Sequence, residues 1–199
     1  MDKKVAFDIG NVLCHVDLPT FFQVLVDEGL APDMAGADDF LCGIQYPQDL
    51  GLYSIRQGVY RFNPNISRKT LDIVHDVWVS IIKPSPEMLL VLEDALSIGY
   101  QVSLLSNIGF DHSETLRRKC DLFKYCIQHF SCEVGARKPT KLFYQSFQLQ
   151  HGWPKSAKFF DDREDNIKAA NDYFHSILFD LEGYSSDLIA ANTMRTYLF

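Results

Sequence analysis

Asp8 closes the apolar run Val5-Ala6-Phe7, Ser106 and Asn107 close Leu104-Leu105, and Asp161 and Asp162 close Phe159-Phe160. Lys138 stands just ahead of a helically spaced segment that starts at Thr140. These residues offer one nucleophile, one hydroxyl, one cation and two further carboxylates, a set suited to phosphoryl transfer. A carboxylate that attacks a phosphate dianion meets like charge, which must be neutralised first. Mg²⁺ does this: it takes oxygen ligands, keeps several waters, and is usually held by one or two carboxylates plus the substrate phosphate. Asp8 and Asp162 suit that role, with Asp161 reaching the metal through water. Ser106 and Asn107, with backbone amides at the start of the next helix, suit the phosphoryl oxygens. Lys138 offsets the remaining charge.

The elements that must position these groups are legible as an alternation. Residues 4 to 9 form a buried strand ending in a turn at Gly10-Asn11. From about Leu18 to Ile82 the apolar spacing is helical, as in Phe21, Phe22, Val24 and Leu25, which predicts an inserted group of helices. Ser85, Pro86 and Glu87 supply the cap, proline and acid of a helix start. Strands are then expected at 101–105, 125–130, 158–160 and 176–179, and helices at 112–119, 140–149 with Thr140 as cap, and 167–173. Strands separated by helices imply right-handed crossovers and a parallel sheet. Ligands collect at the carboxyl ends of such strands, where the residues above fall.

Composition excludes several classes. The 199 residues are 47% hydrophobic and 23% charged, the mixture of a globular chain, and the formal charge of −7 opposes a nucleic-acid surface. The five cysteines include no CxxC pair, so neither a disulfide framework nor a zinc knuckle is expected. No apolar stretch approaches the ~20 residues of a membrane span, and the N-terminus lacks a signal-peptide core. A cytoplasmic protein is expected.

The motifs resemble those of the haloacid dehalogenase (HAD) superfamily. Val5-Ala6-Phe7-Asp8-Ile9-Gly10-Asn11-Val12-Leu13 is similar to its first motif, Leu104-Leu105-Ser106-Asn107 to its second, Arg137-Lys138-Pro139 to its third, and Phe159 to Ile167 to its fourth. The resemblance covers residues 4 to about 180. It implies a three-layer, Rossmann-like α/β core, residues 1–16 and 84–199, with a small helical cap, residues 17–83, inserted after the first strand. It further implies a phosphatase that acts on a small phosphorylated metabolite through an aspartyl phosphate at Asp8. Asp8, Asp162 and the main-chain carbonyl of Gly10 would hold Mg²⁺.

One position departs from the pattern. The family's phosphatases usually carry a second Asp two residues after the nucleophile, to protonate the leaving oxygen; here that residue is Gly10. General acid–base help is typically worth ~10²–10⁴ in rate. Three readings follow: a phosphatase whose substrate leaves easily or whose donor lies elsewhere, a catalytically impaired binding protein, or a dehalogenase, whose halide needs no proton. The Asp161-Asp162 pair, suited to a cation, opposes the last. His15 and Asp17 are candidate replacement donors, weighed against a solvated turn. In the cap, Tyr53, Arg56, Tyr60 and Arg61 follow Gly51 on a helix capped by Ser54, and Tyr53 and Arg56 are candidates for substrate contact. Asn166 is a candidate brace for the metal loop, while Glu164 and Asp165 suit a helix first turn.

Overall fold

The computed structural model describes residues 3–199, so the first two residues of the expected core lie outside it. Its strands are β1 (Lys4–Phe7), β2 (Cys14–Val16), β3 (Ile82–Pro84), β4 (Gln101–Ser106), β5 (Ile127–Phe130), β6 (Lys158–Asp161) and β7 (His175–Leu178). Five of them form a parallel sheet of order β5-β4-β1-β6-β7. β1 is central, and Val5, Ala6 and Phe7 are all fully buried. An unbroken apolar run is the pattern of a strand covered on both faces.

Its alternating side chains enter two different cores. Val5 and Phe7 join Val91, Leu92 and Met194, while Ala6 joins Phe143, Phe147 and Phe159 on the other face. The first face is covered by α5 (Pro86–Ser97) and α10 (Asp187–Leu198), the second by α8 (Lys141–His151) and α9 (Glu164–Ala170). The molecule is thus a three-layer, Rossmann-like α/β fold.

The insertion comprises α1 (Leu18–Asp27), α2 (Met34–Asp49), α3 (Ile55–Phe62) and α4 (Arg68–Ser80), which pack around their own apolar cluster of Phe21, Leu25, Leu41, Val59 and Trp78. It enters and leaves through the antiparallel pair β2 and β3, with Val16 opposite Ile82. The remaining helices are α6 (Phe110–Lys119) and the single turn α7 (Ser131–Val134).

Local signals explain most boundaries. Ser85 accepts from the backbone of Met88, and Ser54 forms a full capping box with Gln57. Two expectations are corrected. Thr140 makes no cap bond to α8; its hydroxyl donates to the carbonyl of Arg137 instead. α9 starts at Glu164 rather than at 167, because Arg163 and Asn166 turn back to bond Asp161 and so begin the helix directly after β6. Among the described residues no helix is long and apolar enough to cross a membrane.

Candidate active site

The sheet's register sets the site. Phe7 lies beside Leu104 on one side and Phe160 on the other, so Asp8, Ser106 and Asp161 emerge at neighbouring strand ends. From β1 the chain builds β4 and β5 on one side, then crosses back to build β6 and β7 on the other. A crevice opens at such a switch of direction, and Asp8 is the first residue past β1.

Lys138 organises this crevice. Its ammonium is fully buried and donates to the carbonyl of Leu105 at 2.7 Å and to Asp161 Oδ2 at 2.6 Å, while Asp8 Oδ2 lies 3.0 Å away. An ammonium has three donors, and these partners use all three. Burial lowers the affinity of Lys138 for its proton, but Asp161 and Asp8 outweigh it, so its pKa is raised and the charge is kept. Asp8 Oδ1 accepts from the backbone N–H of Ile9 at 2.7 Å. Burial lifts the Asp8 carboxyl to about 7; Lys138 and Ser106 oppose the lift, and Asp161 and Asp162 add to it.

The other acids differ in what they are free to do. Asp161 is fully buried and accepts three hydrogen bonds: Oδ1 from Arg163 N and Asn166 Nδ2, and Oδ2 from Lys138. These bonds tie Lys138 and the loop after β6 to one carboxylate. Asp162 is partly exposed to the cleft, and Asn11 Nδ2 donates to its Oδ2 at 3.2 Å. Burial and the neighbouring Asp161 raise its pKa. Asn11 holds a left-handed φ of 51°, which asparagine tolerates better than most residues.

Asp8, Asp161 and Asp162 each offer an oxygen within 4.8 Å of the others. Three carboxylates face one ammonium, and all the donors are hard oxygens. That set fits Mg²⁺ in charge and in ligand type. Asp8 and Asp162 line the cleft whereas Asp161 is fully enclosed, so the first two are the ones placed to meet such an ion.

The loop after β4 is clamped to the loop carrying Lys138. Asn107 Nδ2 donates to the Lys138 carbonyl at 2.9 Å, and Lys138 N donates to Asn107 Oδ1 at 2.8 Å. The Asn107 side chain therefore positions Lys138 rather than reaching into solution. Ser106 is buried and lines the cleft.

The cleft, about 180 Å³, is lined by Asp8, Gly10, Ser106, Asp162 and Arg137 among others, with Gln45 of α2 facing them. A second hollow of about 140 Å³ adjoins it and shares Gly10, Val16, Leu18, Gln45, Ser106 and Asn107. Its deeper wall is Trp78, Ile82, Ile108, His112 and Asp49. His112 donates from Nε2 to the Trp78 carbonyl at 2.6 Å, and burial pushes its pKa down to about 4, so it is a neutral wall.

The remaining candidates lie elsewhere. His15 stands between Glu182 and Asp187, and Asp17 caps α1 and pairs with Lys83; neither lines the two hollows. Arg56 pairs with Asp72 of α4, and Tyr53 lies under Arg61, so both are occupied within the insertion.

Sequence reasoning passed over Gln45 and Asp49, and quoted Arg137 only as the neighbour of Lys138 in its motif. Asp49 carried one signal. It is the last residue of α2, where the helix dipole disfavours an acid.

No family model matches the chain. Among solved structures, the chain shares its fold with HAD family proteins. A HAD family enzyme of Bacteroides thetaiotaomicron, in complex with magnesium and inorganic phosphate, superposes with a TM-score of 0.74 at 24% identity, over 94% of this chain and 99% of that one. A predicted HAD-like family hydrolase of Porphyromonas gingivalis gives 0.77 at 22% identity, over 97% of both chains. An L-2-haloacid dehalogenase of Xanthobacter autotrophicus gives 0.59 at 15% identity, over all of this chain and 85% of that one. The fold is common to enzymes of different chemistry, and the choice between them rests on the site.

Proposed function

We propose that this protein is a Mg²⁺-dependent phosphomonoester hydrolase acting on a small phosphorylated metabolite. The observation that carries the reading is the buried Lys138 shared between Asp8 and Asp161, with Asp162 braced by Asn11 beside them. A dehalogenase has no use for a third carboxylate packed against its nucleophile, whereas a cation at a phosphate site does. That one of the fold's relatives was crystallised with magnesium and phosphate supports the same choice.

In this reading Asp8, Asp162 and the Gly10 carbonyl hold the metal, which supplies positive charge to the phosphoryl oxygens and to the attacking carboxylate. Lys138 fixes the direction of Asp8 and keeps one of its oxygens charged. Ser106 donates to a phosphoryl oxygen, beside the N-terminal end of α6. Asp8 attacks phosphorus in line; its new bond to phosphorus forms as the bond to the leaving oxygen breaks, giving an aspartyl phosphate. Water then attacks that phosphorus and frees Asp8. Residues 17–83 act as a cap that closes one wall of the cleft. Together the two adjoining hollows reach only the lower end of the ~300–1,000 Å³ of typical ligand pockets, which favours a small metabolite. The cysteines are free among the described residues, as suits a reducing compartment such as the cytoplasm.

The test is phosphate release from an aryl phosphate, with and without Mg²⁺, beside Asp8→Asn. Turnover is expected to require the metal, and the variant to lose a factor of about 10⁴ or more in kcat. A folded variant with unchanged turnover would refute the nucleophile. A wild-type protein that binds Mg²⁺ yet turns over no ester would favour a binding role.

A further inference from the structure

We infer that Asp49, delivered by the insertion, protonates the leaving oxygen, the task for which Gly10 has no side chain. The inference rests on the phosphatase reading and supplies the part that reading lacks.

Asp49 ends α2 and is only 4% exposed. Its Oδ2 is buried and accepts no hydrogen bond, a condition that normally costs free energy and calls for an explanation. Asp49 lines the inner hollow together with Gly10 and Ser106, and those same two residues line the cleft of Asp8. A phosphate held against Asp8 and Ser106 has the inner hollow beside it, and a leaving group that enters this hollow meets Asp49. Trp78, Ile82 and Ile108 give that inner wall an apolar stretch, with Gln45 and His112 among its polar members.

The surrounding charges suit a donor. Arg137 Nη1 lies 3.3 Å from Asp49 Oδ2, close enough to attract without a formed hydrogen bond. Lys138 adds a weaker pull, His112 of α6 on the same hollow is neutral, and Asp111 of α6 is engaged by Gln48 and the backbone of Ile55. Burial wins over both cations and lifts the Asp49 carboxyl to about 6. The end of α2 adds its negative dipole to the same effect. A carboxylic acid poised near neutrality is the form a general acid needs.

The step balances. As the bond between phosphorus and the leaving oxygen breaks, the Asp49 proton passes to that oxygen, so a neutral alcohol departs and Asp49 becomes a carboxylate beside Arg137. In the second half, that carboxylate takes a proton from the attacking water while the hydroxyl oxygen bonds phosphorus. The bond to Asp8 breaks, phosphate leaves, and Asp49 is an acid again.

The experiment compares 2,4-dinitrophenyl phosphate, whose leaving group departs without a proton, with a simple alkyl phosphate, whose leaving group needs one. Asp49→Asn is expected to lower kcat/KM on the alkyl ester by ~10²–10³ more than on the dinitrophenyl ester. With Mg²⁺ bound, which would keep Asp8 a carboxylate, the wild-type rate on the alkyl ester is expected to fall as pH rises through about 6, and the variant to lose that limb. Equal losses on both esters would make Asp49 a binding or packing group and overturn the inference, as would no loss on either. Turnover of the dinitrophenyl ester by the variant reports its folding directly. Failure of the wild type on both esters sinks the phosphatase reading itself, and the role of Asp49 with it.

Discussion

Gly10 can be given back the side chain it lacks. A Cβ built there has Val16 Cγ2 at 3.4 Å as its nearest neighbour, and the backbone there is not left-handed. Gly10→Asp is therefore expected to fold with a small adjustment of Val16. In an Asp49→Asn background it should raise kcat/KM on an alkyl phosphate at least about tenfold, since a general acid is typically worth ~10²–10⁴. In the wild-type background the gain should be small, because a donor is already present. Steady-state rates of the four proteins decide this, and no gain in the double variant would mean that position 10 does not face the leaving oxygen.

The same residues show how far the sequence could be read. Asp8, Ser106, Asp161 and Asp162 each end a strand, so their meeting follows from the parallel sheet, and Lys138 follows from the loop opposite. Asp49 reaches the site only because α2 docks on α6 and α7, a long-range event that no local pattern records. Tyr53 and Arg56 sit at helical spacing that fits a face toward the cleft equally well. The structure turns Arg56 to Asp72 of α4 instead.

The docking of α2 depends on one turn. Gly51 has φ of 73°, and a Cβ there would lie 2.2 Å from the Cys132 carbonyl oxygen of α7 and 2.9 Å from the Phe110 ring. On either side of the turn, Gln48 and the backbone of Ile55 both donate to Asp111, in the first turn of α6. Gly51→Ala must therefore both strain the backbone and push the insertion off the core. Gly29 separates the two costs: its φ is 68°, but nothing lies within 4 Å of its added Cβ. A left-handed alanine costs about 1–2 kcal/mol by itself, which is the loss expected for Gly29→Ala. Gly51→Ala should cost more, and should also reduce turnover by displacing Gln45 and Asp49. Urea midpoints and rates for both variants check this; equal destabilisation would mean the α2–α7 approach is soft. The insertion and its helical nature were legible from the apolar spacing, whereas this contact was not, since a glycine after a helix is ordinarily explained by its end alone.

Across the whole molecule, the C-terminal part of the chain ties down the base of the insertion. His15 on β2 has Nδ1 2.5 Å from Glu182 Oε1 and Nε2 3.0 Å from Asp187 Oδ2, the latter in the first turn of α10. The backbone N–H of Leu181, next to Glu182, donates to the carbonyl of Asn11 at 2.7 Å, so the same stretch supports the turn that braces Asp162. Partial burial disfavours the charged imidazole, but hydrogen bonds to Glu182 and Asp187 outweigh it and raise the His15 pKa above its ordinary 6.5. Its ion pairing thus stabilises the fold fully below 6.5, and that contribution fades as pH rises through the raised value. Asp187 behaves oppositely: hydrogen bonds from Ser85 and His15 hold its carboxyl below the ordinary 3.8, so its share is present above 3.8 and lost in stronger acid. The bracket is therefore at full strength in mildly acidic solution. His15→Asn keeps a polar side chain but not the charge, and is expected to lower Tm more at pH 5.5 than at pH 8.5. Thermal melts of the two proteins at both values test this, and an equal shift at the two pH values would assign His15 a packing role in place of an electrostatic one.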